Sequence, residues 1–206
     1  MNNNIIKSIN ELAFRYRNEL SQKIKERNEE IKNDNFDHIL IYKVLGITDT
    51  EGKLIDEYQN KGRFLYNYAG NFLQEAAILC FKHKYNNIKE KYKVKNNIGS
   101  KPKNFEIDFL VDNKAYEIKW RDATTDGDHI IKEHTRIQVI KNHNFIPIRI
   151  MFYYPNREQA KKIQEAIKTL YDGVGGEYYF GNDAWEYIYK TTNINLLKIL
   201  EDIAYK

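Results

Sequence analysis

Two short segments that alternate apolar and polar residues, with a tight polar turn between them, constrain the fold of this chain most strongly. Residues 105–111 and residues 115–120 alternate, and only Asp112, Asn113 and Lys114 separate them. A period of two is typical of a β-strand with one buried face, and two such strands around a short turn predict an antiparallel hairpin. The fold must therefore contain a sheet that includes this hairpin.

Helical periodicity on both sides of the hairpin predicts the rest of the fold. Apolar residues recur at helical spacing over residues 5–32 and over residues 56–85. The other predicted elements are a strand near residues 92–95, a helix over residues 130–141, a strand over residues 145–154, a helix capped by Asn156 that runs to residue 171, and a last helix after Asn193. This order predicts an α/β fold with a mixed β-sheet flanked by helices.

Length and composition set the limits of this fold. With 206 residues, of which 42% are hydrophobic, the chain suits a single domain, residues 1–206, with a substantial core. We expect residues 1–55 to form an N-terminal helical region, residues 56–171 the core, and residues 172–206 a C-terminal loop and helix. The glycine-rich, aromatic residues 172–189 are interpreted as turns, since no nucleotide-binding lysine follows them.

Composition also excludes several classes of protein. No apolar run approaches the roughly 20 residues that a membrane span needs, and residues 1–7 lack the apolar stretch of a signal peptide. Cys80 is the single cysteine, so neither an internal disulfide nor a cysteine-rich zinc site is expected. The net charge of +4 permits nucleic acid as a partner without requiring it. We expect a cytoplasmic protein.

The hairpin places three ionisable side chains on one face of the sheet, because side chains alternate along a strand. If the turn centres on Asp112 and Asn113, Asp108 lies directly across from Glu117. If it centres one residue later, Asp108 faces Lys119 and Glu117 lies on the diagonal. A three-residue turn without a bulge would instead separate the three side chains, so the register decides the site.

Two carboxylates and one amine on a sheet face match the chemistry of phosphodiester hydrolysis. The carboxylates of Asp108 and Glu117 are hard ligands for Mg²⁺, which neutralises phosphate charge and lowers the pKa of a bound water. The Lys119 amine can position that water or stabilise the charge that develops. The alternative is an ordinary cross-strand ion pair on a solvated face. Glu-x-Lys by itself is not specific, since it also occurs at residues 30–32 and 51–53.

The residues of this pattern resemble a known group of nucleases. Asp108, an eight-residue gap and then Glu117 and Lys119 resemble the motif of the PD-(D/E)xK nuclease superfamily, although Ile107 stands where many members have proline. The order of predicted elements over residues 56–154 also resembles its αβββαβ core. The stretch from Lys119 to His129, continuing to residues 154–157, is similar to type II restriction endonucleases, in particular the ApaLI-like group.

This resemblance implies a magnesium-dependent DNA endonuclease, with Mn²⁺ as an alternative metal, and a further acid on the helix that precedes the sheet. Glu75 is the candidate, because it borders the apolar stripe of that helix, where a carboxylate needs a partner. The alternative is a glutamate that reaches past the stripe to solvent or to a lysine. The implied catalytic residues are Glu75, Asp108, Glu117 and Lys119, and the three acids are the implied metal ligands.

The candidate DNA contacts lie mainly in the polar segment after Lys119. Arginine can pair with guanine, and aspartate can accept a hydrogen bond from cytosine. The candidates are Arg121, Thr124, Thr125, Lys132, His134 and Arg136, together with Lys101 and Lys103 before the hairpin. Lys132 and Arg136, one helical turn apart, are expected to face the DNA backbone. The alternative is that Asp126 or Asp128 only caps the next helix, which leaves recognition to residues 172–189.

The sequence supports two classes of function. The first is a type II restriction endonuclease, a homodimer that cuts double-stranded DNA at a short palindromic site and needs no nucleotide cofactor. Its nearest rival among enzymes is a structure-selective nuclease such as a junction resolvase. The other class is a non-cleaving nucleic-acid-binding module with a nuclease-like fold, against which the intact set of Asp108, Glu117 and Lys119 argues.

Overall fold

The computed structural model describes residues 3–99, 101–121 and 128–205. The helices found there are α1 (Asn3–Lys32), α2 (Ile39–Val44), α3 (Asp49–Lys84), α4 (Asp128–Asn142), α5 (Glu158–Gly173), α6 (Asn182–Thr192) and α7 (Leu196–Ala204). The strands are β1 (Lys89–Lys95), β2 (Asn104–Val111), β3 (Lys114–Arg121), β4 (Ile146–Tyr153) and β5 (Glu177–Phe180). No helix in these ranges is long and apolar enough to cross a membrane.

The five strands form one mixed sheet in the order β1-β2-β3-β4-β5. β2 pairs antiparallel with both β1 and β3, whereas β3, β4 and β5 run parallel to one another. Parallel neighbours need a long crossover connection, and α4 and α5 supply the two crossovers. The predicted α/β fold with a mixed sheet flanked by helices is confirmed.

The predicted hairpin forms with the first of the two registers considered. Phe109 pairs with Tyr116, and Val111 pairs with Lys114, so Asp112 and Asn113 form a two-residue turn. Asp112 has a positive φ of 52°, which aspartate tolerates better than most residues and which two-residue hairpin turns require. This turn fixes which side chains of β2 and β3 share a face.

The two faces of the sheet pack against different helices. On one face, Phe81 of α3 lies 4.8 Å from the ring of Phe109 and 4.9 Å from that of Tyr116. On the same face, Phe152 of β4 packs against Trp185 of α6 at 4.2 Å. The opposite face packs on α4 and α5, with a buried cluster that contains Ile137, Met151, Ile163, Ile167, Tyr171 and Tyr178.

The chain divides into two compact units, and the sheet belongs to the first. That unit comprises residues 1–9 and 73–206, and the second comprises residues 10–72. Within the second unit, Tyr16 of α1 makes an edge-to-face contact with Tyr68 of α3 at 6.0 Å. These units do not follow the boundaries expected at residues 55 and 171, and a single domain over the whole chain stays a prediction.

The starts of two helices differ from the sequence-based expectations. The helix expected from residue 56 begins at Asp49, because Thr48 and Glu51 form a reciprocal cap in which the Thr48 N–H donates to the Glu51 carboxylate and the Glu51 N–H donates to Thr48 Oγ1. Asn156 does not cap α5, since the N-cap position is Arg157 and carries no side-chain cap hydrogen bond.

The glycine-rich segment forms regular structure rather than turns alone. It contributes the edge strand β5 and most of α6. At Gly176 a Cβ atom would lie 2.6 Å from the carbonyl oxygen of Pro147, so the chain can approach β4 this closely only with glycine. The glycine content therefore reflects close packing of the sheet edge as well as turn formation.

Candidate active site

The hairpin brings together the carboxylates that the sequence predicted for the site. The ladder between β2 and β3 pairs Phe109 with Tyr116, and counting one residue further places Asp108 opposite Glu117. There, Oδ2 of Asp108 accepts a hydrogen bond of 2.7 Å from the backbone N–H of Ile118. A backbone donor of the neighbouring strand thus orients the Asp108 carboxylate beside Glu117.

Glu117 is buried, and its two oxygens contact two different cations. Oε1 lies 2.5 Å from Nζ of Lys119, and Oε2 accepts a hydrogen bond from Nη2 of Arg136 on α4. The side chain of Lys119 is 36% exposed, whereas that of Arg136 is 11% exposed. Asp108, Glu117 and Lys119 therefore share one face of the sheet, and Arg136 joins them from the crossover helix.

These charges shift the pKa values of the two carboxylates in opposite directions. Burial and the negative charge of Glu117 raise the pKa of Asp108 to about 7, against the opposing charge of Lys119. Burial would also raise the pKa of Glu117, but Arg136 and Lys119 outweigh it and hold that pKa well below its usual range. At neutral pH Glu117 is a fixed negative charge, while Asp108 exchanges a proton readily.

A second set of buried charges lies behind Arg136. Glu133, one helical turn earlier on α4, accepts a hydrogen bond of 3.2 Å from Nη1 of Arg149 and one of 2.7 Å from the hydroxyl of Tyr171. Nη1 of Arg136 lies 3.7 Å from Oε2 of the same glutamate. Arg149 belongs to β4, where it pairs in register with Glu117. Acidic and basic side chains therefore alternate from the site into the core.

The donor set of the site fits a divalent cation. Asp108 and Glu117 supply carboxylate oxygens, the ligands that hard cations such as Mg²⁺ prefer. Burial and the negative charge of Glu117 raise the pKa of Asp108, so a cation that takes the place of the proton would stabilise the ionised form of this carboxylate. Among the side chains that the structure describes, no group of three or more His, Cys, Asp or Glu is close enough to hold a metal ion. The fit therefore rests on two carboxylates.

Glu75 is not part of this carboxylate pair. It is half-buried on α3, and the three-acid ligand set with Asp108 and Glu117 that the resemblance implied is not formed among the described side chains. Helical periodicity placed Glu75 at the edge of an apolar stripe, but it could not fix the distance from that stripe to the hairpin. The roles of Glu75 as a third metal ligand and as a catalytic residue therefore stay predictions.

Most of the predicted DNA contacts that the structure describes are exposed. Thr124 and Thr125 lie outside the described residues. The exposed candidates are Lys101, Lys103, Arg121, Lys132 and His134. Exposure is what a contact with DNA requires, so these five remain candidates for phosphate or base contacts.

Arg136 is placed differently from the expectation. Its guanidinium donates to Glu117 and, at 3.0 Å, to the backbone oxygen of Glu106, and it also faces Glu133. Because Arg136 lies one helical turn after Lys132 on α4, both residues were expected to contact phosphates. In the structure, Lys132 is exposed and Arg136 is buried. In this arrangement the buried guanidinium is not accessible to DNA, and Arg136 is corrected to a partner of the carboxylates.

A cavity opens at the carboxyl ends of β3 and β4, directly after Lys119. Its volume is about 590 Å³, and its lining includes Trp120, Arg121, Tyr153, Tyr154, Asn156 and Arg157. Aromatic rings, guanidinium groups and an amide are the groups with which proteins contact bases and phosphates. The sequence pattern identified Arg121 as a candidate but not Tyr153 and Arg157. These two residues follow α4 in the sequence, whereas Arg121 precedes it.

The family comparison agrees with this geometry. A model of the ApaLI-like restriction endonuclease family matches residues 1–205. The chain belongs to this family. It is a type II restriction endonuclease, a site-specific deoxyribonuclease that acts on DNA, and enzymes of this kind generally use divalent metal ions. No curated protein and no solved structure matches the chain.

Membership confirms the resemblance drawn from the hairpin motif and its following segment. The mixed sheet with flanking helices is consistent with a restriction-endonuclease-like fold. Sequence reasoning missed Glu133 and Arg149 as members of the charged network around the site. The signal was present, because an arginine in the middle of the apolar strand β4 requires a buried acid nearby.

Proposed function

We propose that Asp108, Glu117 and Lys119 form the catalytic centre of the restriction endonuclease and that its metal is Mg²⁺, with Mn²⁺ as a substitute. The observation that carries this proposal is the position of Asp108 opposite Glu117 on one sheet face, with Lys119 two residues further along β3. A divalent cation held by the two carboxylates would neutralise charge on the scissile phosphate and lower the pKa of the attacking water.

The protein groups divide the remaining work between them. Glu117 stays ionised at neutral pH because Arg136 and Lys119 stabilise its negative charge. Asp108 is held in place by the Ile118 N–H, which donates to one of its two carboxylate oxygens. Lys119, the more exposed partner of Glu117, is placed to orient the attacking water or to stabilise charge on the phosphate.

Recognition of the DNA sequence is proposed to involve the cavity beside the catalytic strand. Arg121 and Arg157 line that cavity, and Tyr153 adds an aromatic surface. Because Arg121 lies two residues after Lys119, a group that it binds must be close to the scissile phosphate. Lys132 and His134 on α4, and Lys101 and Lys103 before β2, are proposed as contacts that position the DNA backbone.

We further propose that the enzyme is a homodimer acting in the cytoplasm on a palindromic site, since a two-fold dimer matches a two-fold sequence. Analytical ultracentrifugation with and without duplex DNA tests the dimer. A monomer in both conditions contradicts it.

The cleavage assay that tests the proposed centre uses supercoiled and linear plasmid DNA. With Mg²⁺ or Mn²⁺ we expect discrete bands, with Ca²⁺ binding but little cleavage, and with excess chelator no cleavage. Asp108→Asn is expected to bind DNA and leave it intact. Robust cleavage by Asp108→Asn or in chelator overturns the assignment, and cleavage restricted to branched DNA points to a resolvase instead.

A further inference from the structure

Arg136 binds one of the two carboxylates that are proposed to hold the metal. Its guanidinium donates to Glu117 Oε2, so a carboxylate proposed as a metal ligand already has a buried cation bound to it. A second donor of the same side chain reaches the Glu106 carbonyl at 3.0 Å. Arg136 thus both neutralises Glu117 and fixes its direction relative to the backbone of β2.

Arg136 is held in place by a second ion pair and is more deeply buried than Lys119. Glu133 lies 3.7 Å from the guanidinium and is itself held by Arg149 and Tyr171. Moving Arg136 away would leave a buried carboxylate without one of its cations, which is costly in a protein interior. Lys119, at 36% exposure, can leave Glu117 for solvent or substrate far more easily.

The formal charges of this network balance. Asp108, Glu117 and Glu133 contribute three negative charges when ionised, and Lys119, Arg136 and Arg149 contribute three positive charges. A divalent cation that approaches the DNA-free protein therefore meets no net negative charge. The phosphate of bound DNA adds negative charge beside the two metal-binding carboxylates, so it strengthens the attraction for the cation.

We propose that Arg136 is a positioning residue that serves as a resident counter-ion of Glu117, and that it makes divalent-cation binding weak until DNA is bound. This rests on the proposed metal role of Asp108 and Glu117. Metal and DNA then increase each other's affinity, because thermodynamic coupling is reciprocal. The consequence is that metal is held tightly only when substrate is in place.

Isothermal titration of the DNA-free protein with Mn²⁺ tests the proposal through variants that change charge in opposite directions. Arg136→Gln removes a positive charge and is expected to bind Mn²⁺ about tenfold more tightly than the wild type. Glu133→Gln removes a negative charge beside Arg136 and is expected to bind Mn²⁺ more weakly. Arg136→Lys keeps the charge and is expected to stay close to the wild type.

A second titration measures the coupling itself. Ca²⁺ is titrated into each protein with and without a short duplex that carries the site found in the cleavage assay, because Ca²⁺ is expected to leave the duplex uncut. The ratio of the two affinities should be large for the wild type and several-fold smaller for Arg136→Gln. Circular dichroism melts identify folded variants. If Arg136→Gln does not fold, Arg136→Met, which leaves no buried amide unpaired, carries the same expectation.

The outcomes separate this proposal from the function on which it rests. A purely structural role of Arg136 would weaken metal binding in every variant, so equal or weaker Mn²⁺ binding by a folded Arg136→Gln or Arg136→Met protein overturns the proposal. Asp108→Asn is the reference, since it should lose Mn²⁺ binding. If Asp108→Asn binds Mn²⁺ like the wild type, the metal is not held at this centre, and the proposed function itself is wrong.

Discussion

The two faces of the central strands β3 and β4 are equally buried but are held together by different interactions. Tyr116 and Ile118 on one face have 2% and 4% of their surface exposed, and Glu117 and Arg149 on the other have 7% and 1%. The first face packs apolar and aromatic groups against α3 and α6. The second buries charges that are paired with each other and with residues of α4.

Burial alone therefore does not determine how the stability of the protein responds to a substitution. An apolar contact depends on volume and weakens gradually as atoms are removed. A buried charge depends on one specific partner, and removing that partner leaves an uncompensated charge. On the charged face, even an isosteric substitution such as carboxylate to amide should therefore destabilise the protein. On the apolar face, conservative substitutions should be tolerated.

The largest expected contrast concerns cleavage by neighbouring residues of β3. Lys119→Ala should lower kcat/KM for plasmid DNA by about 10²- to 10⁴-fold, because it removes the amine that is proposed to act on the scissile phosphate. Ile118→Val, on the apolar face, should stay within a few-fold of the wild type. Lys32→Ala, which alters a Glu-x-Lys sequence on the helix α1, serves as the second control.

A Lys119→Ala enzyme that retains full activity would reject the catalytic role of the charged face. Equal losses in Lys119→Ala and Ile118→Val would show that the two faces do not differ in the way described. Binding of uncut DNA is measured in parallel for all variants, because the expected loss concerns the chemical step.

The second contrast concerns stability and uses one position on each face. Glu133→Gln should lower the free energy of unfolding by about 3–5 kcal/mol, because Arg149 and Arg136 lose a buried negative partner. Ile150→Val, on the apolar face of β4, should cost only about 0.5–1.5 kcal/mol. Urea unfolding at pH 7 measures both, and similar losses in the two variants would contradict the contrast.

The third prediction concerns pH and compares Asp108 with an exposed aspartate of the same hairpin. Burial and Glu117 raise the pKa of Asp108 to about 7, above the value of roughly 3.9 in an unfolded chain. Between these values the folded state keeps a proton that the unfolded state has released, so stability falls as pH rises from about 4 to 7. Above pH 7 the penalty is complete.

Asp108→Asn removes this penalty and can still accept the hydrogen bond from the Ile118 N–H. In chelator, its Tm relative to the wild type should therefore rise with pH from 4 to 7 and then stay level. The corresponding change in the free energy of unfolding is a few kcal/mol or less, on the order of the shift in the pKa of Asp108. Asp112→Asn at the exposed turn is the matched control and is measured over the same pH range. A constant Tm difference for Asp108→Asn across this range would be inconsistent with the raised pKa.

The smallest expected effects lie beyond the ends of the two faces, where DNA is proposed to bind. Arg121→Ala should cost about 1–3 kcal/mol of cognate binding and relax specificity at one base pair. Lys132→Ala should weaken binding evenly across sequences and reduce the salt dependence by about one counter-ion. Binding to cognate and scrambled duplexes at several salt concentrations separates the two, and a uniform loss with Arg121→Ala would remove its base-reading role.

The hairpin and the ionisable residues on its face could be predicted from the sequence. Alternation over residues 105–111 and 115–120, with a turn that admits few registers, was sufficient to place Asp108, Glu117 and Lys119 on one face. Local patterns also predicted most of the helices and the strand β4. The chain order then predicted a mixed sheet, because β3 and β4 are separated by a helix.

Local patterns failed where a residue's role depends on its surroundings. Lys132 and Arg136 lie one helical turn apart on α4, so the sequence pattern does not distinguish them. In the structure, however, Arg136 is buried between glutamates and Lys132 is exposed. Residues 172–189 were interpreted as turns because they are rich in glycine and no nucleotide-binding lysine follows, yet part of this segment forms β5, which pairs with β4. Glu75 lacked any local signal for its distance from the hairpin.

The fold class, the hairpin and the set of ionisable groups on its face could be predicted from the sequence, because they follow from short-range periodicity and turn chemistry. Which of these charges pair depends on tertiary packing. The partners Glu117, Arg136, Glu133 and Arg149 come from a strand, the crossover helix and the next strand, and their contacts form when the crossover packs on the sheet. A buried charge is stabilised only by the partner that packing brings to it, and no pattern within one segment contains that information.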